Sequence, residues 1–204
     1  MRLAQLTESN TATNIAVFYG GRFQPMHLGH KELYNSLTNK FGSSNVFIAT
    51  TFGEKQQRLH ATEDYSTDPF TFEEKKRIIS GMFGISQQHI VDTQPYKPDV
   101  TKVNRDPETT VVVLAFSEKD AGRLKPSDTM VELPIDMKNL RPVSSGIVYF
   151  TSLPIYKDGM SASDFRAVMS GEDSIEEKKK AFVEFFGKMN DSLFDFIFKR
   201  MTDE

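Results

Sequence analysis

A chain of 204 residues has room for one ordinary domain, or for one domain with a small appendage. Its 38% hydrophobic and 26% charged residues, with no apolar run approaching about 18 residues, suit a soluble globular chain and exclude a membrane-spanning helix. Cysteine is absent, which excludes disulfides, thiolate metal sites, iron–sulfur clusters and cysteine nucleophiles, and the net charge of −3 argues against a protein built mainly to grip nucleic acid.

The opening dozen residues turn polar after Ala4 and lack the apolar stretch of a secretory signal, so the cytoplasm is the expected compartment. Residues 15–19 (IAVFY) form an apolar run that is continuous rather than alternating, as in a strand buried on both faces. Directly after it comes the string Gly20-Gly21-Arg22-Phe23-Gln24-Pro25-Met26-His27-Leu28-Gly29-His30. Leu33, Leu37 and Phe41, four apart, then predict a helix over 30–41. A second strand-like run lies at 46–51 (VFIATT). Residues 56–68 are polar without a period and read as a loop near the site; Lys55 and Arg58 would suit a lid over a nucleotide, while a solvated loop is the plain alternative. Thr71 and Glu74 open a capping-box helix over 71–83, carrying Phe72, Ile78, Ile79, Met82 and Phe83.

Runs at 90–93, 111–116 and 147–153 bring the strand total to five. Between them, 92–107 holds three prolines and reads as a second loop near the site, and 125–145 is either loop or short extra strands. From residue 174 the pattern is helical. Phe182, Phe185, Phe186 and Met189 form one stripe and Leu193, Phe194, Ile197 and Met201 another, with a break at Gly187 and a new N-cap within 190–192. The charge run 176–180 reads as a solvated helix face. The alternation of strand and helix predicts an α/β domain over 1–173, with a five-stranded parallel sheet flanked by helices and a ligand site beyond the carboxyl ends of its strands. Residues 174–204 form a C-terminal helical extension on the same domain, either closing the core or docking a second copy of the chain.

The string after the first run carries the chemistry. Gly20 and Gly21 let the backbone turn sharply and approach a ligand, and Pro25 stiffens the loop. His27 and His30, three apart, share a face of the first helical turn, and Gly29 leaves room for a flat group. Two imidazoles beside unpaired helix N–H groups make a phosphate-binding cluster. The alternatives are surface polar residues or metal ligands; a zinc site would need a third ligand from His60, His89 or a carboxylate. Later, Ser161 and Ser163 can cap a helix, and Arg166 one turn in can bind phosphate bidentately, or the three are an ordinary cap and a surface arginine.

Taken whole, the first string resembles the His-x-Gly-His nucleotidylyltransferase superfamily, and its Gly-Arg-Phe-Gln-Pro-x-His form is most like the nicotinamide mononucleotide adenylyltransferase branch. Residues 160–166 (MSASDFR), followed by 167–173, resemble the second element of that superfamily, Ile-Ser-x-Thr-x-x-Arg. Asp68-Pro69-Phe70-Thr71 with Arg77, and 116–120 (FSEKD), are similar to intermediate segments, so the likeness spans about 15–173. It implies a Rossmann-like, HUP-type fold and transfer of AMP from ATP to a small phosphorylated acceptor such as nicotinamide mononucleotide, with pyrophosphate leaving. Mg²⁺ would neutralise the triphosphate with no protein metal ligand. The resemblance also implies catalytic roles for His27, His30 and Arg166, and nucleotide contacts from Gly20, Gly21, Arg22, Phe23, Gly29, Asp120, Ser161 and Ser163. The absence of Gly-Thr-Phe-Asp favours an adenylyl over a cytidylyl donor. In that branch an aromatic residue, often Trp, stacks on the nicotinamide ring. This chain has no Trp; Tyr96 either stacks instead or covers the sheet edge, and Lys97 or Arg105 would meet the acceptor phosphate. Ser117 and Glu118 stand where many relatives have Gly. Other readings are CTP as donor, another acceptor, or a non-catalytic module of the same fold, including phage-encoded proteins, for which the compartment is the host cytoplasm. Neither a membrane nor nucleic acid is an expected partner.

Overall fold

The computed structural model describes residues 14–118, 126–154 and 161–202. Its centre is a parallel sheet with β1 (Asn14–Gly20), β2 (Val46–Thr50), β3 (Ile90–Asp92), β4 (Thr110–Ser117), β5 (Met130–Glu132) and β6 (Val148–Leu153), in the order β3-β2-β1-β4-β6-β5. Every pairing is parallel: Val17 faces Val46 across β1–β2, and Val17 faces Val113 across β1–β4. The strand order reverses at β1, with β2 on one side and β4 on the other. Loops leaving β1 and β4 therefore part in opposite directions and open a crevice above the carboxyl ends of the strands. The continuous apolar runs are explained by burial on both sheet faces. Val17 and Tyr19 join one core cluster, while Ala16 and Phe18 join the other.

Among the described residues the sheet has six strands, not the five expected. The additional strand, β5, falls within the segment whose sequence left loop and strand open. It is a three-residue edge strand with Val131 and Glu132 exposed, so it shows no apolar run. The polar stretch expected to be a loop over 56–68 is also corrected, because α2 (Glu54–Ala61) occupies its first half. None of its residues is buried, so it lacks the apolar stripe by which a helix is read.

Helix α1 (Leu28–Phe41) follows β1 and packs Leu33, Tyr34, Leu37 and Phe41 on the sheet. Helix α3 (Phe72–Phe83) begins at the expected capping box, with Thr71 accepting from Glu74 N–H and the Glu74 carboxylate accepting from Thr71 N–H at 2.8 Å. Helices α4 (Ala162–Ser170), α5 (Ile175–Phe186) and α6 (Asp191–Thr202) complete the described fold. The Phe182/Phe185/Phe186 stripe and the Leu193/Phe194/Ile197 stripe pack inward on Ile78 and Met82 of α3 and on Phe165 and Met169 of α4. Each buried aromatic contributes about 1.5–3 kcal/mol relative to exposure. Arg77 lies 4.6 Å from the Phe196 ring centre, and Arg200 pairs with Glu74. The charge run 176–180 is not wholly a solvated face. Lys178 is buried, with Nζ donating to Gly171 O at 2.8 Å and lying over the Phe198 ring. Among the described residues no helix is long and apolar enough to cross a membrane.

Candidate active site

The loop leaving β1 is shaped by packing within the protein. A Cβ at Gly20 would lie 2.7 Å from the Phe116 ring and 2.8 Å from Pro95 Cβ, and one at Gly21 would lie 2.7 Å from the Phe23 ring. The glycines are thus required by β4, by the turn after β3 and by the loop itself, before any ligand is considered. Phe23 adopts φ 49° and packs its ring 5.4 Å from Tyr19 and 5.2 Å from His30. The buried Gln24 amide braces the loop: Nε2 donates to Phe70 O and Oε1 accepts from Phe70 N–H, both at 2.9 Å.

His27 is the N-cap of α1, not part of its first turn. Its Nδ1 accepts from Gly29 N–H at 3.1 Å, and His30 Nδ1 accepts from His27 N–H at 3.3 Å, so two histidines form the capping box usually built from Ser or Thr with Glu. The rings lie 3.8 Å apart. Burial pushes His27 down to about 4, and burial together with its neighbour holds His30 well below the usual histidine range. Both rings are therefore neutral at pH 7. With both Nδ1 atoms accepting, the proton of each ring sits on Nε2. No hydrogen bond engages either Nε2 among the described residues, which leaves two N–H donors for a ligand beside the α1 N-terminus.

A second cluster lies against the same loop. Arg166 Nη1 donates to Gln24 O at 2.6 Å, Nε to Ser66 O at 2.9 Å and Nη2 to Ser163 Oγ at 3.2 Å. Arg22 is 66% exposed and lies 3.6 Å from the buried Asp68 carboxylate. Burial and the nearby Arg22 lower the Arg166 pKa, and Asp68 offsets this only in part. Two guanidiniums facing one carboxylate leave positive charge that suits an anion. Ser161 is an N-cap whose hydroxyl donates to Asp164 Oδ2 at 2.7 Å and accepts from Asp164 N–H at 3.2 Å. The plain cap reading of Ser161 describes its present contacts, and the Asp164 carboxylate already occupies the start of α4.

Tyr96 is 44% exposed and stacks on Phe116, with ring centres 4.9 Å apart and planes within 10°. Lys97 closes the tight turn beside it, its N–H donating to Gln94 O at 3.1 Å. Arg105 is not brought to this cluster. Its Nη2 donates to Ser44 O at 3.2 Å and Asn45 Oδ1 at 3.0 Å, just before β2, at the opposite end of the sheet from the histidine loop. Asp120 lies outside the described residues. Lys75 was not among the residues expected here; it is buried and donates from Nζ to Thr50 Oγ1 at 2.8 Å, Thr51 O at 2.9 Å and Arg22 O at 3.3 Å. Burial pushes its pKa down to about 8 against the opposing pull of Asp68 and Asp92. Its signal was present, since Lys75 falls on the stripe of Ile78, Ile79 and Met82, where a cation needs partners.

An all-parallel sheet that reverses order at β1, with paired imidazoles capping the helix after that strand, defines a Rossmann-like α/β protein whose first turn is suited to anions. The Cytidylyltransferase-like family model matches residues 18–168, and the chain belongs to that family, within the nucleotidylyltransferase superfamily. Two solved structures share the fold. The Plasmodium falciparum nicotinic acid mononucleotide adenylyltransferase complexed with APC aligns at TM-score 0.51 and 12% identity, covering 91% of this chain and 95% of that one. The same enzyme complexed with NaAD aligns at 0.52 and 13%, with the same coverage. Comparison with curated protein sequences gives no match. Neither the family model nor the solved structures point to a phage source.

Proposed function

We propose that the chain transfers AMP from ATP to the phosphate of a pyridine mononucleotide, nicotinamide mononucleotide first, giving the dinucleotide and pyrophosphate. The observation that carries this reading is the His27–His30 capping box, which leaves two neutral Nε2–H donors at a helix N-terminus. An acceptor phosphate oxygen attacks the α-phosphorus in line. The bond from that phosphorus to the bridging oxygen breaks, and its electrons leave with pyrophosphate. The attacking oxygen is already anionic, so the protein's work is positioning and charge stabilisation. His27 and His30 donate to the phosphate oxygens, and the arriving negative charge raises the proton affinity of both rings.

Arg22 and Arg166 meet the leaving pyrophosphate. Arg166 uses one N–H on each of its three nitrogens for Ser66, Gln24 and Ser163, which leaves two of its five for a phosphate oxygen. Gly20, Gly21, Phe23 and Gly29 form the floor of the nucleotide site, with Ser161 and Ser163 at its second helix. The stacked Tyr96 and Phe116 rings offer a platform for a flat acceptor ring, with Lys97 beside it. Magnesium neutralises triphosphate charge in such a reaction. It would be held largely by ATP and water, the usual arrangement for this ion with a nucleoside triphosphate.

The test is pyrophosphate release with magnesium present, crossing ATP and CTP against nicotinamide mononucleotide, nicotinate mononucleotide and other phosphorylated acceptors. Release with ATP and a pyridine mononucleotide, lost in His30→Ala, supports the proposal. Release with CTP alone would replace the donor, and silence with nucleotide binding intact would refute transfer to a pyridine mononucleotide and point to another acceptor or a non-catalytic module.

A further inference from the structure

Resting on that reading, we infer that the C-terminal extension is part of the catalytic unit, with Phe185 the positioning residue that holds the His27 imidazole. Phe185 is buried in α5 and belongs to none of the motifs that carry the family likeness. Its ring centre lies 5.3 Å from that of His27 in a T-shaped contact at 71°, and 4.1 Å from that of Phe165 in a stack at 17°. Phe165 directly precedes Arg166 in α4. One aromatic ring thus sits between the N-cap histidine and the helix that carries the guanidinium.

The end of α5 reinforces the contact. Gly187 has φ 82°, and a Cβ there would stand 2.9 Å from the Leu28 side chain, next to His27. The extension therefore packs on α1 where its cap is formed and on α4 where Arg166 begins. The Gly29 N–H bond to Nδ1 fixes one edge of the His27 ring, and Phe185 walls another. Without the wall the ring regains rotational freedom and water reaches it. Burial alone accounts for the low proton affinity of His27, so the same loss of cover is readable as a titration.

The experiment compares Phe185→Leu with Phe182→Leu. Phe182 is an equally buried neighbour in α5 whose ring contacts are Phe165, Phe186 and Phe194 rather than His27. Two quantities are read: the His27 imidazole titration by NMR of histidine-labelled protein, and kcat and KM for pyrophosphate release. We expect Phe185→Leu to raise the His27 pKa by one unit or more and to lower kcat at least tenfold, with KM for ATP changed less than threefold. Phe182→Leu, at a similar loss of Tm, should leave the His27 titration unmoved and kcat within about threefold. If the two variants behave alike, or if His27 titrates in Phe185→Leu as it does in the parent, the inference is overturned. Should Phe185→Leu fail to fold, Phe185→Met reads the same quantities with more of the volume kept. A parent protein without transferase activity, but with the His27 shift confined to the Phe185 variant, would sink the proposed reaction and leave the positioning contact standing.

Discussion

Replacing Lys75 with Met keeps most of the volume and removes the charge. Three acceptors, Thr50 Oγ1, Thr51 O and Arg22 O, then lose a donor. At about 1–3 kcal/mol each, the loss sums to about 6 kcal/mol. The Thr50 hydroxyl still donates to Arg22 O at 3.3 Å, which trims the total. Against this, the buried ammonium is itself disfavoured: its pKa falls from 10.5 to about 8, equivalent to about 3 kcal/mol that the substitution returns. A net loss of about 2–3 kcal/mol is expected at pH 7. The pH dependence is sharper. Between about 8 and 10.5 the unfolded parent still binds the proton that the folded parent has released, so this side chain adds stability as pH rises through that window. Methionine has no such titration, and the stability gap between parent and variant should widen by up to about 3 kcal/mol from pH 8 upward. Urea unfolding of both proteins at pH 7, 8, 9 and 10 measures it. A gap that is constant or that narrows with pH would refute the assignment of a desolvated, protonated lysine at this position.

Three further outcomes are expected. His30→Ala should lower pyrophosphate release at least a hundredfold while losing the bond from His27 N–H and the ring packing on Phe23 and His27, together about 2–3 kcal/mol and about 4–12 °C in Tm by calorimetry. Acidification should destabilise the parent between pH 6.5 and about 4, because the unfolded chain takes up the proton that folded His27 refuses; His27→Asn, which keeps a capping acceptor, should reduce that slope in denaturant titrations. Gly20→Ala should cost about 1–3 kcal/mol through contact with Phe116 and Pro95, and Phe116→Leu in the same chain should restore part of it, as a double-mutant cycle would show.

Five strands were legible as short apolar runs: β1, β2 and β4 are largely buried on both faces and read as nearly uninterrupted, while β3 ends on the exposed Asp92 and β6 passes through the exposed Ser152. β5 and α2 were not, because an element with nothing buried leaves no period to detect. The histidine string was readable as a helix N-terminus, since glycine, proline and paired histidines each have a local reason to be there. What escaped is the partnership across the chain. That Asp68 would be buried beside Arg22, that Arg105 would be tied to the segment before β2, and that Phe185 would touch His27 are consequences of packing between distant segments. No single stretch of sequence contains that information.

Gln24 ties the loop to Phe70 across 46 positions through its side chain and to Arg166 across 142 through its carbonyl. The two ties differ in kind. The bonds to Phe70 are made by the side-chain amide, and the bond from Arg166 is made to the backbone carbonyl. A substitution at Gln24 therefore frees the loop from the start of α3 and leaves the guanidinium's hold on it in place.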